Sequence, residues 1–147
     1  MIITRATEYS IRAVLHLASR YPAEVVSKQE ICAAEGVTPA FLTKILQPLI
    51  RSGLVRSKRG VAGGFALARN PDKLTLLDVM QAVDEPLTLN LCLLEGHQCE
   101  RECTCPIHSL WTTAREKIEE VFSGKTLSSL VAERTQREQL VGGAAAD

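Results

Sequence analysis

No charge-free apolar run in the chain approaches the ~18 residues that a helical membrane span requires. The opening, Met1-Ile2-Ile3-Thr4-Arg5-Ala6-Thr7-Glu8, lacks the basic stretch followed by an apolar one that marks a secretory leader. Also missing are a glycine-rich nucleotide-binding motif, a nucleophile with its base and carboxylates paired at a meaningful spacing. At 147 residues the chain is too short for a barrel enzyme of the usual size, and it contains no internal repeat. These absences predict a soluble, cytoplasmic protein that is not an enzyme. Its size suits one domain, or one small domain with a dimerisation arm. With 46% hydrophobic and 23% charged residues it can bury a real core.

The formal net charge of zero conceals an asymmetry. Residues 1–70 hold ten Lys or Arg against four Asp or Glu, and residues 71–147 hold seven against thirteen. A basic half joined to an acidic half suggests that only the first meets a polyanion, although two solvated surfaces of opposite sign would give the same count. The five cysteines are also unevenly placed. Cys32 stands alone, whereas Cys92, Cys99, Cys103 and Cys105 fall within fourteen residues. In a cytosolic protein, thiols clustered in this way are more often metal ligands or redox groups than structural disulfides.

Periodicity predicts a mainly α fold. A first helix spans Thr7 to Arg20, with Ile11, Val14, Leu15 and Ala18 on its inner face, Tyr9, Ala13 and Leu17 widening it, and Tyr21-Pro22 breaks it. Ser27-Lys28-Gln29-Glu30 reads as a capping box opening a second helix, which Gly36 stops. Thr38-Pro39 opens a third, whose stripe is Phe41, Leu42, Ile45, Leu46 and Leu49. Gly53 ends it, and Pro48 is expected to bend its last turn. Two short helices joined through a glycine turn form a helix-turn-helix. Strand-like runs Leu54–Ser57 and Phe65–Ala68 flank a basic, glycine-rich tip, as in a wing. A short helix is expected over Thr75 to Val83, capped by Thr75. Residues 85–106 lack helical periodicity. A long helix follows from Pro106 to Phe122, with Ile107, Leu110, Trp111, Ala114, Ile118, Val121 and Phe122 on one broad face suited to another chain or to its own core. A weaker helix covers Thr126 to Glu138, and a frayed tail starts at Gly142.

A helix-turn-helix lays its second helix in the major groove, which admits a helix and displays distinguishable base edges. Thr38, Ala40, Thr43, Lys44 and Gln47 are the positions expected to face DNA, with Gln47 able to reach an adenine edge. Arg51 lies behind them. Arg56, Ser57, Lys58 and Arg59 belong to the wing, where Gly60, Gly63 and Gly64 permit close approach to the backbone and Arg59 enters the minor groove. The alternative is a helical hairpin with solvated basic residues. Residues 1–73 thus form a winged helix-turn-helix region, and residues 74–147 carry the cysteine loop, a dimerisation helix and the tail.

Six residues separate Cys92 from Cys99 and five separate Cys99 from Cys105, with His97 and His108 nearby. Thiolates spaced in this way in a loop can converge on an iron–sulfur cluster, leaving a fourth position for which His108 is the nearest candidate. A zinc site of Cys99, Cys103, Cys105 and His108 is the rival, weakened by the tight Cys-x-Cys spacing of 103 and 105. A metal-free thiol switch stays open as well. Cys32 is read as a small core residue and His16 as a surface or satisfied helix histidine.

Three stretches together resemble one family: Thr4-Arg5-Ala6-Thr7-Glu8-Tyr9-Ser10-Ile11-Arg12, Phe41-Leu42-Thr43-Lys44-Ile45-Leu46-Gln47-Pro48-Leu49 and Arg59-Gly60-Val61-Ala62-Gly63-Gly64-Phe65. They are similar to the opening helix, recognition helix and wing of the Rrf-two (Rrf2) winged-helix transcription regulators, which include iron–sulfur sensors of the IscR, NsrR and RirA kinds. The resemblance spans residues 1 to about 130. It implies a homodimer built on the long helix and bound to a palindromic operator. It also implies a 2Fe–2S or 4Fe–4S cluster on Cys92, Cys99 and Cys105. The fourth ligand would be His108 or Glu8 of the partner's first helix, and Cys103 is extra to the pattern.

Overall fold

The computed structural model describes residues 3–22, 25–83, 89–94, 96 and 99–144. The first helix, α1 (Arg5–Ser19), starts two residues earlier than its apolar periodicity predicts. Thr4 is the reason, since its hydroxyl accepts the Thr7 N–H at 3.1 Å and so satisfies a free amide of the first turn. Ala13, Val14, Leu17 and Ala18 form its buried face.

Ser27 caps α2 (Lys28–Glu35) through the Glu30 N–H, but only half of the expected capping box forms. The Glu30 carboxylate binds Arg20 at 2.7 Å instead of reaching back to the cap. Gly36, at φ 65°, closes α2 in the left-handed region. Thr38 then caps α3 (Pro39–Arg51) through the Phe41 N–H. Pro48 does not end α3; it lies in the last turn, where its missing N–H removes one ladder bond.

The strands are β1 (Val55–Lys58) and β2 (Gly64–Leu67), antiparallel, with Val55 opposite Leu67 and Lys58 opposite Gly64. Both lie one residue off the predicted bounds, so Lys58 and Gly64 belong to strands and the tip is residues 59–63. Val26 bridges Phe65 through two backbone bonds of 2.8 and 2.9 Å, which ties the wing to the segment entering α2.

After a 3-10 turn at Pro71–Lys73 comes α4 (Leu76–Val83), with Thr75 and Asp78 capping one another. Then follow α5 (His108–Ser123) and α6 (Leu127–Ala144). α6 passes through the Gly142 position where a frayed tail was expected. Glycine there costs only about 1 kcal/mol of helix propensity, and no proline interrupts. Leu127 donates its backbone N–H to the Leu74 carbonyl at 2.8 Å, and Leu76 donates to the Lys125 carbonyl at 3.3 Å, so the starts of α4 and α6 are pinned together.

One core joins the two halves of the chain. Val14, Leu17, Ile31, Leu42, Leu46 and Leu49 share it with Leu74, Val79 and Leu127. α1 runs through its centre, touching α2, α3, α4, α6 and β2. Burial of that apolar surface is the main stabilising term. Cys32 packs at its edge, as expected of a small core residue. His16 lies near the surface, with Nε2 3.4 Å from Glu30. No described helix is long and apolar enough to cross a membrane.

Candidate nucleic-acid interface and cysteine loop

α3 divides cleanly into two faces. Leu42, Ile45, Leu46 and Leu49 are buried, while Thr38, Ala40, Lys44, Gln47 and Arg51 are exposed, as a groove-reading helix requires. Thr43 differs from expectation. It is half-buried, and its hydroxyl donates to the Pro39 carbonyl at 2.8 Å, which leaves only its lone pairs for DNA. In the wing, Arg56, Ser57, Lys58, Arg59 and Gly60 are exposed, and Gly63 and Gly64 half-exposed. No Asp or Glu occurs from residue 36 to residue 71, a stretch containing Lys44, Arg51, Arg56, Lys58, Arg59 and Arg69. Among the described residues none of these six cations has an ion-pair partner. Such a field attracts a polyanion.

The anchoring of α3 involves residues that the periodicity did not single out. Arg12 on α1 donates Nε to Glu35 at 2.8 Å, and Glu35, the last residue of α2, is 4% exposed in its side chain. The other Glu35 carboxylate oxygen is buried, with no hydrogen-bond partner among the described residues. The Arg12 guanidinium also lies over the Tyr9 ring at 5.0 Å, and Tyr9 meets Phe41 of α3 edge-on at 5.7 Å. Ser10 donates to the Ile45 carbonyl at 3.4 Å. One signal for Glu35 was available: it stands four residues after Ile31, which is fully buried, and so shares its face. Glu8 is exposed, 3.9 Å from Arg12.

Cys92 sits in a 3-10 turn, Leu91–Leu93, whose Leu93 carbonyl accepts from Arg115 of α5 at 3.5 Å. Cys99 starts a run of tight turns. Glu102 donates to the Cys99 carbonyl at 3.0 Å, Cys105 to Arg101 at 2.7 Å, and His108 to Cys105 at 3.3 Å. Cys92, Cys99 and Cys105 are half-buried thiols, and Cys103 is exposed. His108 is mostly buried; its Nε2 lies 3.8 Å from Glu102, and its Nδ1 has no hydrogen-bond partner among the described residues. His97 lies outside the described residues. Among those described, no three Cys, His, Asp or Glu side chains stand close enough together to hold one metal ion. The donors ride on separate turns, and among the described residues the spacing that predicted convergence does not bring them together.

A profile of the Rrf2 family, described as an iron-dependent transcriptional regulator, matches residues 3–133. The chain belongs to the Rrf2 family. Rrf2 proteins are DNA-binding transcriptional regulators rather than enzymes, and the helix-turn-helix with its wing is the corresponding part here. This Rrf2 regulator is similar to protein aau3 of Rhizobium meliloti, with 35% identity over 97% of this chain and 92% of the relative. It resembles the HTH-type transcriptional regulator IscR of Pectobacterium atrosepticum, at 29% identity over 89% of this chain and 79% of that one. Its fold superposes on CymR (YrzC), titled the global cysteine regulator of B. subtilis, with a TM-score of 0.73 and 25% identity. That match covers 90% of this chain and 98% of the other.

Proposed function

We propose that this Rrf2 regulator is a cytoplasmic homodimer that senses iron, redox or nitric oxide status through an iron–sulfur cluster and alters its hold on a palindromic operator. One observation carries the sensing: three half-buried free thiols and an imidazole with a buried, unpartnered Nδ1 lie within one stretch, Cys92 to His108. That donor set suits a cluster chemically. Cys92, Cys99 and Cys105 would hold it, with His108 or the partner subunit's Glu8 as the fourth ligand; Cys103 stands outside the set. When bound, the cluster would supply the responsive chemistry, a change of oxidation state or its loss.

Residues of this chain would carry the response. The loop leaves α4, which packs on α1, α3 and α5, and Arg115 ties the Cys92 turn to α5. A change in the loop therefore bears on the same α1 that positions α3, a two-state shift in the placement of the readers. Residues 1–73 do the reading and residues 74–147 the sensing and pairing. The dimer is supported by α5, which buries no residue and, with Ile107 just before it, leaves Leu110, Trp111 and Val121 exposed.

A cluster-free thiol switch is a second reading, favoured by the exposed Cys103 and by likeness to a protein titled a cysteine regulator. A zinc site of Cys99, Cys103, Cys105 and His108 is the third. Anaerobic purification with absorption spectra and iron, sulfide and zinc analysis separates them. Iron with sulfide, lost in Cys92→Ala, Cys99→Ala and Cys105→Ala but kept in Cys103→Ala, supports the cluster. Stoichiometric zinc without sulfide supports the zinc site. Colourless protein that resists reconstitution yet changes DNA affinity on reversible oxidation supports the thiol switch. Gene regulation itself fails if no duplex is bound even at low salt.

A further inference from the structure

The outermost point of the wing is apolar. Gly63 donates to the Gly60 carbonyl at 3.0 Å, which makes Val61 and Ala62 the central residues of a turn. Val61 is fully exposed. The hairpin beneath it is closely built. A Cβ on Gly63 would lie 2.5 Å from the Lys58 carbonyl oxygen, and one on Gly64 would lie 2.0 Å from the Val26 oxygen. With both backbone bonds between Val26 and Phe65 in place, the tip is carried on a base that cannot accommodate side chains.

A branched apolar side chain at the tip of a basic wing is free to enter whatever the wing approaches. Its neighbours are Arg59, Gly60 and Ala62, too little apolar area to seat a protein partner. The strand and tip that lead to it carry Arg56, Lys58 and Arg59, none with an ion-pair partner among the described residues, which suits phosphates flanking a groove. The minor groove, about 6 Å wide, admits a hairpin tip and a small wedge. At A·T pairs its floor offers acceptors and an adenine C–H; at G·C pairs the guanine 2-amino group projects into it.

Building on the DNA-binding reading, we propose that Val61 is a specificity-determining residue of the wing, whose methyl groups fill the minor groove at A·T pairs and are excluded by the guanine amino group. Arg59 supplies the phosphate or groove-edge attraction, and Val61 supplies the discrimination. The residue makes no hydrogen bond, so its contribution is steric fit and removal of apolar surface from water.

The test uses the full-length protein and a duplex selected by it from a random library. Base pairs under the wing are then changed to G·C or to inosine·C, which lacks only the 2-amino group in the minor groove. Wild type should lose about five- to tenfold per wing on changing A·T to G·C, roughly the partial burial of a valine side chain. Inosine·C should restore the affinity. Val61→Gly should bind both duplexes alike, with an unchanged dependence on salt, whereas Arg59→Ala should reduce the salt slope by about one per wing. Discrimination that survives in Val61→Gly, or inosine·C behaving as G·C, overturns the assignment. Wild type that selects no duplex at all would instead refute the DNA-binding reading beneath it.

Discussion

Removing the Arg12 guanidinium should destabilise the protein far more than a surface charge normally does, because it strands the Glu35 carboxylate. That side chain is 4% exposed, and among the described residues its one hydrogen bond is the 2.8 Å contact with Arg12 and its second oxygen has no partner. Breaking a fully buried pair from one side costs about 3–5 kcal/mol. Arg12 is 44% exposed, so water partly replaces it, and about 2–3 kcal/mol is the reasonable share for the pair. Loss of the guanidinium from the Tyr9 ring adds about 0.5–1 kcal/mol. Arg12→Ala is therefore expected to lose roughly 3 kcal/mol, whereas Glu35→Gln, which keeps an acceptor and leaves Arg12 open to water, should lose about 1 kcal/mol. The double variant should cost at least 1 kcal/mol less than the sum of the two, since the stranded charge is gone. Urea denaturation, which leaves ionic strength unchanged, measures all four corners of the cycle. An additive cycle, or an Arg12→Ala cost below about 0.5 kcal/mol, would refute the reasoning. The same variants should weaken duplex binding, because Glu35 ends the helix that enters the α2–α3 turn.

The remaining expectations concern the α5 face, the wing base and one carboxylate. Leu110→Glu should convert a dimer to monomer in sedimentation; the sole tryptophan, Trp111, reports the change as a red shift of emission, and an unchanged mass would remove α5 as the interface. Gly64→Ala places a Cβ 2.0 Å from a backbone oxygen, so the wing must detach from Val26; a loss of about 1–3 kcal/mol and of duplex affinity is expected by thermal unfolding and titration. The Lys125 ammonium, hydrogen-bonded to Glu133, holds that carboxyl below the usual carboxylate range. A depressed folded value means that the stabilising contact is complete above the ordinary range and is lost as pH falls through the folded value. An NMR titration of Glu133 should move up to the ordinary range in Lys125→Met.

Local chemistry made much of the fold readable from residue order alone. Thr38-Pro39, Gly36 and the stripe Leu42–Leu49 mark a helix-turn-helix because caps, left-handed stops and 3.6-residue periodicity act within a few residues. The wing follows from a basic glycine run between apolar strands, and the family from three motifs in series. The contacts that hold the reading helix in place were not legible, since Arg12 and Glu35 stand 23 residues apart and meet only through packing. Nor did cysteine spacing reveal where the sulfurs sit. Chain distance bounds which donors can meet, but the turns at Cys99–Cys105 and the Arg115 tie decide where the backbone carries them. Sequence by itself determined which groups are present and in which local element. Tertiary structure decided which are paired, which are stranded and which stand clear, because burial and ion pairing depend on neighbours that covalent order does not specify.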